Sequence, residues 1–216
     1  MNKVELSIWI EENFKLSGRG GVRSPLYGVG INDAHYPTKP MSNGKPITDP
    51  AYAAWQNMLT RAYDAKKHID RPTYTGVTVC KEWLSFMAFR EWWIANFIEG
   101  WQLDKDILGL RSMEYSPATC IYVPSWLNNL ITDSGSARGS YPIGVTLIKS
   151  SGRYQAKCCH KTSGKRVHLG YYSTPEQAYS AWLKYKLNIA MELKPQMDVI
   201  DQRIYPNVVT IIKALT

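Results

Sequence analysis

Apolar residues recur along this chain at two periods, and the period changes near residue 142. In "DPAYAAWQNMLTRAYDAKK", Tyr52, Trp55, Leu59 and Ala62 stand three or four apart, the spacing of one helix face. Asp49 sits where an N-cap belongs and Pro50 at the first helical position, so a helix is expected to start there. "EWLSFMAFREWWIANF" repeats the pattern with Trp83, Phe86, Phe89 or Arg90, and Trp93, which predicts a second helix whose aromatic face builds core. Between the two, "PTYTGVTVC" reads as a turn and a short strand. Residues 101–129, "WQLDKDILGLRSMEYSPATCIYVPSWLNN", read as strand, loop, strand, helix. Past residue 142 the period falls to two. "IGVTLIKS", "GRYQAKCCHK" and "KRVHLGYYS" are three short strand-like runs joined by "SSG" and "KTSG", which are turn chemistry. A helix is predicted to follow, with Thr174 as N-cap, Pro175 at its first position, Gln177 closing a capping box, and an apolar stripe of Ala178, Ala181, Trp182, Tyr185 and Ile189.

These patterns give an α+β chain in five parts. Residues 1–48 are expected to be an irregular N-terminal arm, because "SGRGGVRSPLYG" and "YPTKPMSNGKP" are rich in turn residues. Residues 49–131 form a first domain of helices and short strands. Residues 132–141, "TDSGSARGSY", are small and polar and read as a linker. Residues 142–194 form a small domain, a three-stranded antiparallel sheet packed on one helix. Residues 195–216 are a tail, partly helical or extended.

Charge sharpens this division. The chain carries a net +8, and residues 136–194 hold ten Lys and Arg against two acids, while the rest of the chain has sixteen of each. The whole surplus therefore sits in one segment. It is either a solvated basic face or the electrostatic footprint of a nucleic-acid site, and its concentration favours the second. No apolar run is long enough to span a membrane. The first residues, "MNKVELSIWIEENF", carry acids and lack a signal-peptide core, so a cytoplasmic protein with reduced thiols is expected. The four cysteines form no CxxC pair, so no zinc site is expected.

Strand alternation sorts the side chains of the small domain. Val145, Leu147, Tyr154, Ala156, Cys158, Val167 and Leu169 are predicted to face the helix. Thr146, Ile148, Gln155, Lys157, Cys159, Arg166 and His168 are predicted to face outward, with Lys149, Arg153 and Lys165 at strand ends within reach of phosphates. The frame "IGVTLIKSSGRYQAKCC…GKRVHLGYYSTPEQAYSAW" resembles, over about 50 residues, the plant ethylene-response-factor DNA-binding domain and its relatives in phage endonucleases. That resemblance implies a sheet whose outer face lies in the major groove of duplex DNA, with Thr146, Ile148, Lys157, Cys159, Arg166 and His168 against it. The plant domains usually carry Arg or Trp at several of these positions, from which Thr146, Ile148 and Cys159 depart.

The first domain carries a second resemblance. "LDKDILG…YSPATCIYVPSWLNN", with "ML.RAY…PTYTGVTVCKEWLSFMAF" and "YGVGINDAHY" before it, resembles tailed-phage proteins of the HNH homing-endonuclease type. The resemblance implies a strand-strand-helix (ββα-metal) domain with extra helices in residues 49–131. It implies metal-dependent hydrolysis of a DNA phosphodiester, with Asp104, Asp106 and Asn128 as catalytic residues holding Mg²⁺ or Mn²⁺. It also implies a location in the host cytoplasm. No histidine occupies the general-base position; before the linker there are only His35 and His68. Three functions are therefore expected in order: a DNA endonuclease, a non-cutting DNA-binding regulator built on one, and an inhibitor acting through protein contacts of the aromatic domain. The alternative to a metal site is that Asp104 and Asp106 cap turns and pair with Lys105 and Arg111.

Overall fold

The computed structural model describes residues 1–16, 23–133, 140–160 and 164–216. The elements in chain order are α1 (Lys3–Asn13), β1 (Met41–Ser42), β2 (Lys45–Pro46), α2 (Pro50–Tyr63), α3 (Ala65–Asp70), β3 (Thr78–Val79), α4 (Phe86–Asn96), β4 (Gln102–Asp104), β5 (Glu114–Tyr115), β6 (Ile121–Val123), α5 (Ser125–Leu130), β7 (Val145–Ile148), β8 (Arg153–His160), β9 (Lys165–Tyr172), α6 (Pro175–Glu192), α7 (Lys194–Ile200) and α8 (Ile204–Lys213). The chain divides into two compact units. One comprises residues 1–101 with 112–122, the other residues 102–111 with 123–216. The mixed α+β class is as expected. The unit boundary is not at the predicted linker: the Asp104–Asp106 loop and α5 belong with the C-terminal sheet. Residues 134–139 of that linker lie outside the described residues.

The first unit is built on aromatic burial. Asp49 caps α2 through Oδ1, 2.8 Å from the Ala51 N–H, as the Asp-Pro start predicts. Trp55, Met58 and Leu59 are then buried, as are Phe86, Phe89 and Trp93, and the Trp55 and Phe86 ring centres lie 5.6 Å apart. The Trp55 indole N–H donates to the Trp83 carbonyl at 2.7 Å, which satisfies a polar atom that burial would otherwise strand. The predicted second helix is shorter than expected. Ser85 accepts from the Ala88 N–H and so caps α4 at Phe86, leaving Trp83 in a separate 3-10 turn. β3 and β5 pair in parallel.

Among its described residues the N-terminal arm carries a helix and a small hairpin as well as irregular chain. Asn2 and Glu5 form a capping box that starts α1. The helix is held by Arg90, whose Nε and one terminal nitrogen donate to the Ser7 hydroxyl and carbonyl at 3.0 Å each, while Nη1 meets Glu11 at 2.8 Å. Asn43 and Gly44, both at positive φ, turn β1 into β2 as an Asn-Gly hairpin.

In the second unit β7, β8 and β9 form an antiparallel sheet in that order, and α6 packs on one face of it. Thr174 caps α6, accepting from the Gln177 N–H at 3.3 Å. The Gln177 side chain reaches back to Ser173 rather than to the cap residue, one position short of the predicted box. Ala178, Trp182, Ile189 and Ala190 of α6 are buried, as is Lys186, whose ammonium lies 5.9 Å from the Trp182 ring centre. Gly144 makes the close approach possible: at φ +78° any Cβ there would stand 2.0 Å from Trp182 Cδ1. Residues 195–216 are not a loose tail. Ile204, Val208, Ile211, Ile212 and Leu215 are buried, and α8 packs against α6.

Candidate nucleic-acid interface and carboxylate loop

Register fixes the outer face of the sheet. Thr146 opposes Gln155, which opposes Tyr171; Ile148 opposes Arg153; Lys157 opposes His168; Cys159 opposes Arg166. Cross-strand partners share a face, so these nine side chains lie on the side away from α6. Thr146, Arg153, Lys157, Arg166, His168 and Tyr171 are exposed, and Ile148 and Cys159 are half-buried. Lys149 and Lys165 flank them, both exposed. The inner positions Ala156 and Cys158 are buried, and Val145, Leu147, Tyr154, Val167 and Leu169 are half-buried. Arg153 is on the outer face itself rather than only at a strand end.

Two features depart from simple alternation. A bulge lies at Ala156/Lys157: Ala156 opposes Gly170 and Lys157 opposes His168, so Leu169 has no opposite residue. A bulge shifts the alternation by one, and this one brings Tyr171 to the same face as His168. Tyr171 was absent from the predicted set, although Gly170 inside a strand pattern is a recognised bulge signal and adopts φ +130°. The second feature is Gln155, which is only 7% exposed. Its amide nitrogen lies 3.2 Å from His168 Nδ1 and 3.1 Å from the Tyr171 hydroxyl oxygen. It supports the two rings above it instead of standing open as a base-reading group. Arg153 donates to the Tyr171 carbonyl at 2.9 Å, and its guanidinium carbon lies 5.9 Å from the Tyr171 ring centre.

The face can therefore offer three outward cations, a half-ring of hydrogen-bond donors, and two aromatic rings 4.7 Å apart. A phosphate backbone or a base edge in the major groove matches such a surface.

The carboxylate loop is differently engaged. Asp104 ends β4 and is buried. Its Oδ1 accepts from the backbone N–H of Asp106 at 2.9 Å and of Ile107 at 2.8 Å, which closes the turn. Burial pushes its carboxyl up to about 6, and the nearby Asp106 charge adds to the rise against the opposing backbone N–H groups and Lys105. Asp106 pairs with the buried Lys105 at 2.7 Å. Arg111 does not join the pair; its guanidinium meets the Ile131 carbonyl at 3.5 Å, and its backbone N–H donates to the Asp106 carbonyl. Asn128 lies on α5 and donates to the Gln102 side chain at 2.8 Å.

One Asp104 oxygen is committed to two backbone donors, and the Lys105 ammonium sits on Asp106. Among the described residues no group of three or more His, Cys, Asp or Glu side chains is placed to hold a metal ion. The two histidines before the linker are engaged within the first unit: His35 lies 3.2 Å from Glu11, and His68 bonds the Arg61 carbonyl at 2.9 Å.

Compared with known proteins, the chain matches no family model, no curated protein and no solved structure. Among the described residues no helix is long and apolar enough to cross a membrane.

Proposed function

We propose that this chain is a sequence-specific DNA-binding protein that reads duplex DNA with the outer face of β7–β9, built on the plan of a phage HNH homing endonuclease and working in the host cytoplasm. One observation carries the reading: Arg153, Lys157, Arg166 and His168 stand exposed together on the sheet face that α6 leaves open. The opposite side of the sheet carries the buried Ala156 and Cys158. Lys149, Arg153 and Lys165 would meet phosphates, while Lys157, Arg166 and His168 would meet base edges. The non-cutting form of this function fits the carboxylate loop best, because Asp104 closes a turn and Asp106 is paired.

Metal-dependent cleavage is the second reading, and one observation favours it: the Asp106 charge lies close enough to Asp104 to add to the burial that disfavours the ionised Asp104 carboxyl, an effect that a bound Mg²⁺ or Mn²⁺ would offset. The test is a duplex-binding assay run beside plasmid nicking in Mg²⁺, Mn²⁺ and chelator. Arg166→Ala should weaken binding by about 1–3 kcal/mol and relax the preference at one base pair. Binding without nicking supports the regulator. Nicking that Asp106→Ala abolishes establishes the endonuclease. No binding of any duplex removes both.

A further inference from the structure

Gln155 is the one outer-face residue of the sheet that is nearly inaccessible, and its amide nitrogen is the atom in contact with both covering rings. An amide nitrogen only donates. Its two protons therefore go to His168 Nδ1 and to the Tyr171 hydroxyl oxygen. A ring nitrogen that accepts carries no proton, so the neutral imidazole must bear its proton on Nε2. His168 is exposed, and the Nε2–H is the polar group it has left to offer. The Tyr171 hydroxyl, having accepted from Gln155, keeps its own O–H as a donor. Lys157, opposite His168, and Arg166, two residues before it on β9, are also donors without acceptor capacity. The bulge makes the arrangement, since only the extra residue at Leu169 brings Tyr171 over Gln155.

Resting on the reading of this face as the DNA-binding surface, we propose that Gln155 is a positioning residue that holds His168 as an Nε2–H donor, and that His168 thereby reads the acceptor edge of guanine. The Nε2–H beside the donors of Lys157 and Arg166 matches guanine, which shows two acceptors, N7 and O6, in the major groove, where thymine shows only O4 beside its methyl group. Adenine sets an amino donor beside its N7, and cytosine presents a donor. With Nδ1–H and a bare Nε2, the same histidine would favour an amino group instead.

The full chain tests this in two measurements. Nitrogen NMR of the four imidazoles in the free protein reports which ring nitrogen of His168 is protonated. The expected result is Nε2–H in the wild type. Gln155→Glu offers only acceptors and should move the proton to Nδ1. A wild-type Nδ1–H form overturns the proposal whatever the protein binds. For the base, duplexes are selected from a random library and each guanine is replaced singly by 7-deazaguanine, which exchanges the N7 acceptor for C–H. One position should lose about threefold to tenfold in affinity, the range of a single hydrogen bond, and that loss should vanish in His168→Ala. Exposed His168 tolerates this change even if Gln155→Glu does not fold. A loss that persists unchanged in His168→Ala, or no sensitive guanine at all, overturns the base assignment. Failure to select any duplex overturns the DNA reading itself, with the protonation state of His168 still established separately.

Discussion

Replacing Asp104 with Asn should stabilise the protein near neutral pH and leave it little changed in acid. The Asp104 side chain is 5% exposed, and one of its oxygens accepts two backbone N–H groups that an asparagine carbonyl oxygen can also serve. What the substitution removes is the cost of ionising a buried carboxyl. That carboxyl rises from 3.8 to about 6 in the folded chain. Between these values the folded state binds more protons than the unfolded state, so stability falls as pH rises through the window. The cost is absent below the unfolded value, grows from about pH 4 to pH 6, and is complete above. Two units correspond to about 3 kcal/mol, an upper figure because the new amide N–H₂ needs partners of its own. Urea unfolding of wild type and Asp104→Asn at acid and at neutral pH gives the difference directly. A carbon NMR titration of the Asp104 carboxyl should show its midpoint near 6. An asparagine variant less stable than wild type at neutral pH, or a midpoint below the ordinary aspartate value, refutes the reasoning. Repeating the titration with Mg²⁺ separates the two readings of the loop: a cation bound between Asp104 and Asp106 lowers the midpoint, and a turn-closing Asp104 is unmoved.

Arg90→Ala should cost about 3–5 kcal/mol, because it takes the cation from the buried Asp49 carboxylate, which keeps only its Tyr36 and Ala51 hydrogen bonds, and removes the donors that hold Ser7 and Glu11. Hydrogen exchange should rise across α1, and unchanged protection there would contradict the role given to Arg90. Gly144→Ala combines a positive φ with a 2.0 Å approach to Trp182 and should cost more than about 2 kcal/mol. Gly152→Ala, at φ +64° with nothing within 4 Å of the new Cβ, should cost only the backbone term, about 1 kcal/mol. Equal losses by thermal unfolding would refute the packing argument.

The parts of the fold that local chemistry specifies were legible in the chain. Asp49-Pro50 and Thr174-Pro175 start helices where such pairs should, and the inward and outward sets of β7 and β8 follow alternation residue by residue. Elements set by tertiary contact were not legible. α8 is anchored by Ile204, Val208, Ile211 and Ile212, a clear helical spacing, yet it reads as a tail until α6 supplies a surface for it. The arm shows the opposite error. Asn43-Gly44 is a strong hairpin signal, and Asn2 with Glu5 is a capping box, but the Gly-rich stretch between them dominates the composition. At the site, a single bulge hid Tyr171 and turned Gln155 from an expected contact into a support. The Asp104–Asp106 pair was readable as carboxylates near a strand end. Which of two roles they serve depends on where Lys105 and the backbone N–H groups point, and periodicity does not reveal that.

The central claim is that the outer sheet face binds duplex DNA through its cations. Its most direct test is the affinity of the full chain for duplex DNA over a range of salt, compared with a Lys149→Ala/Lys165→Ala double variant. With Lys149, Arg153 and Lys165 meeting phosphates, log K should fall with log salt at a slope of about −3. The double variant should shallow that slope by about 2 and leave the preferred sequence unchanged. No duplex binding at low salt, or a slope that the double variant does not alter, would contradict the account.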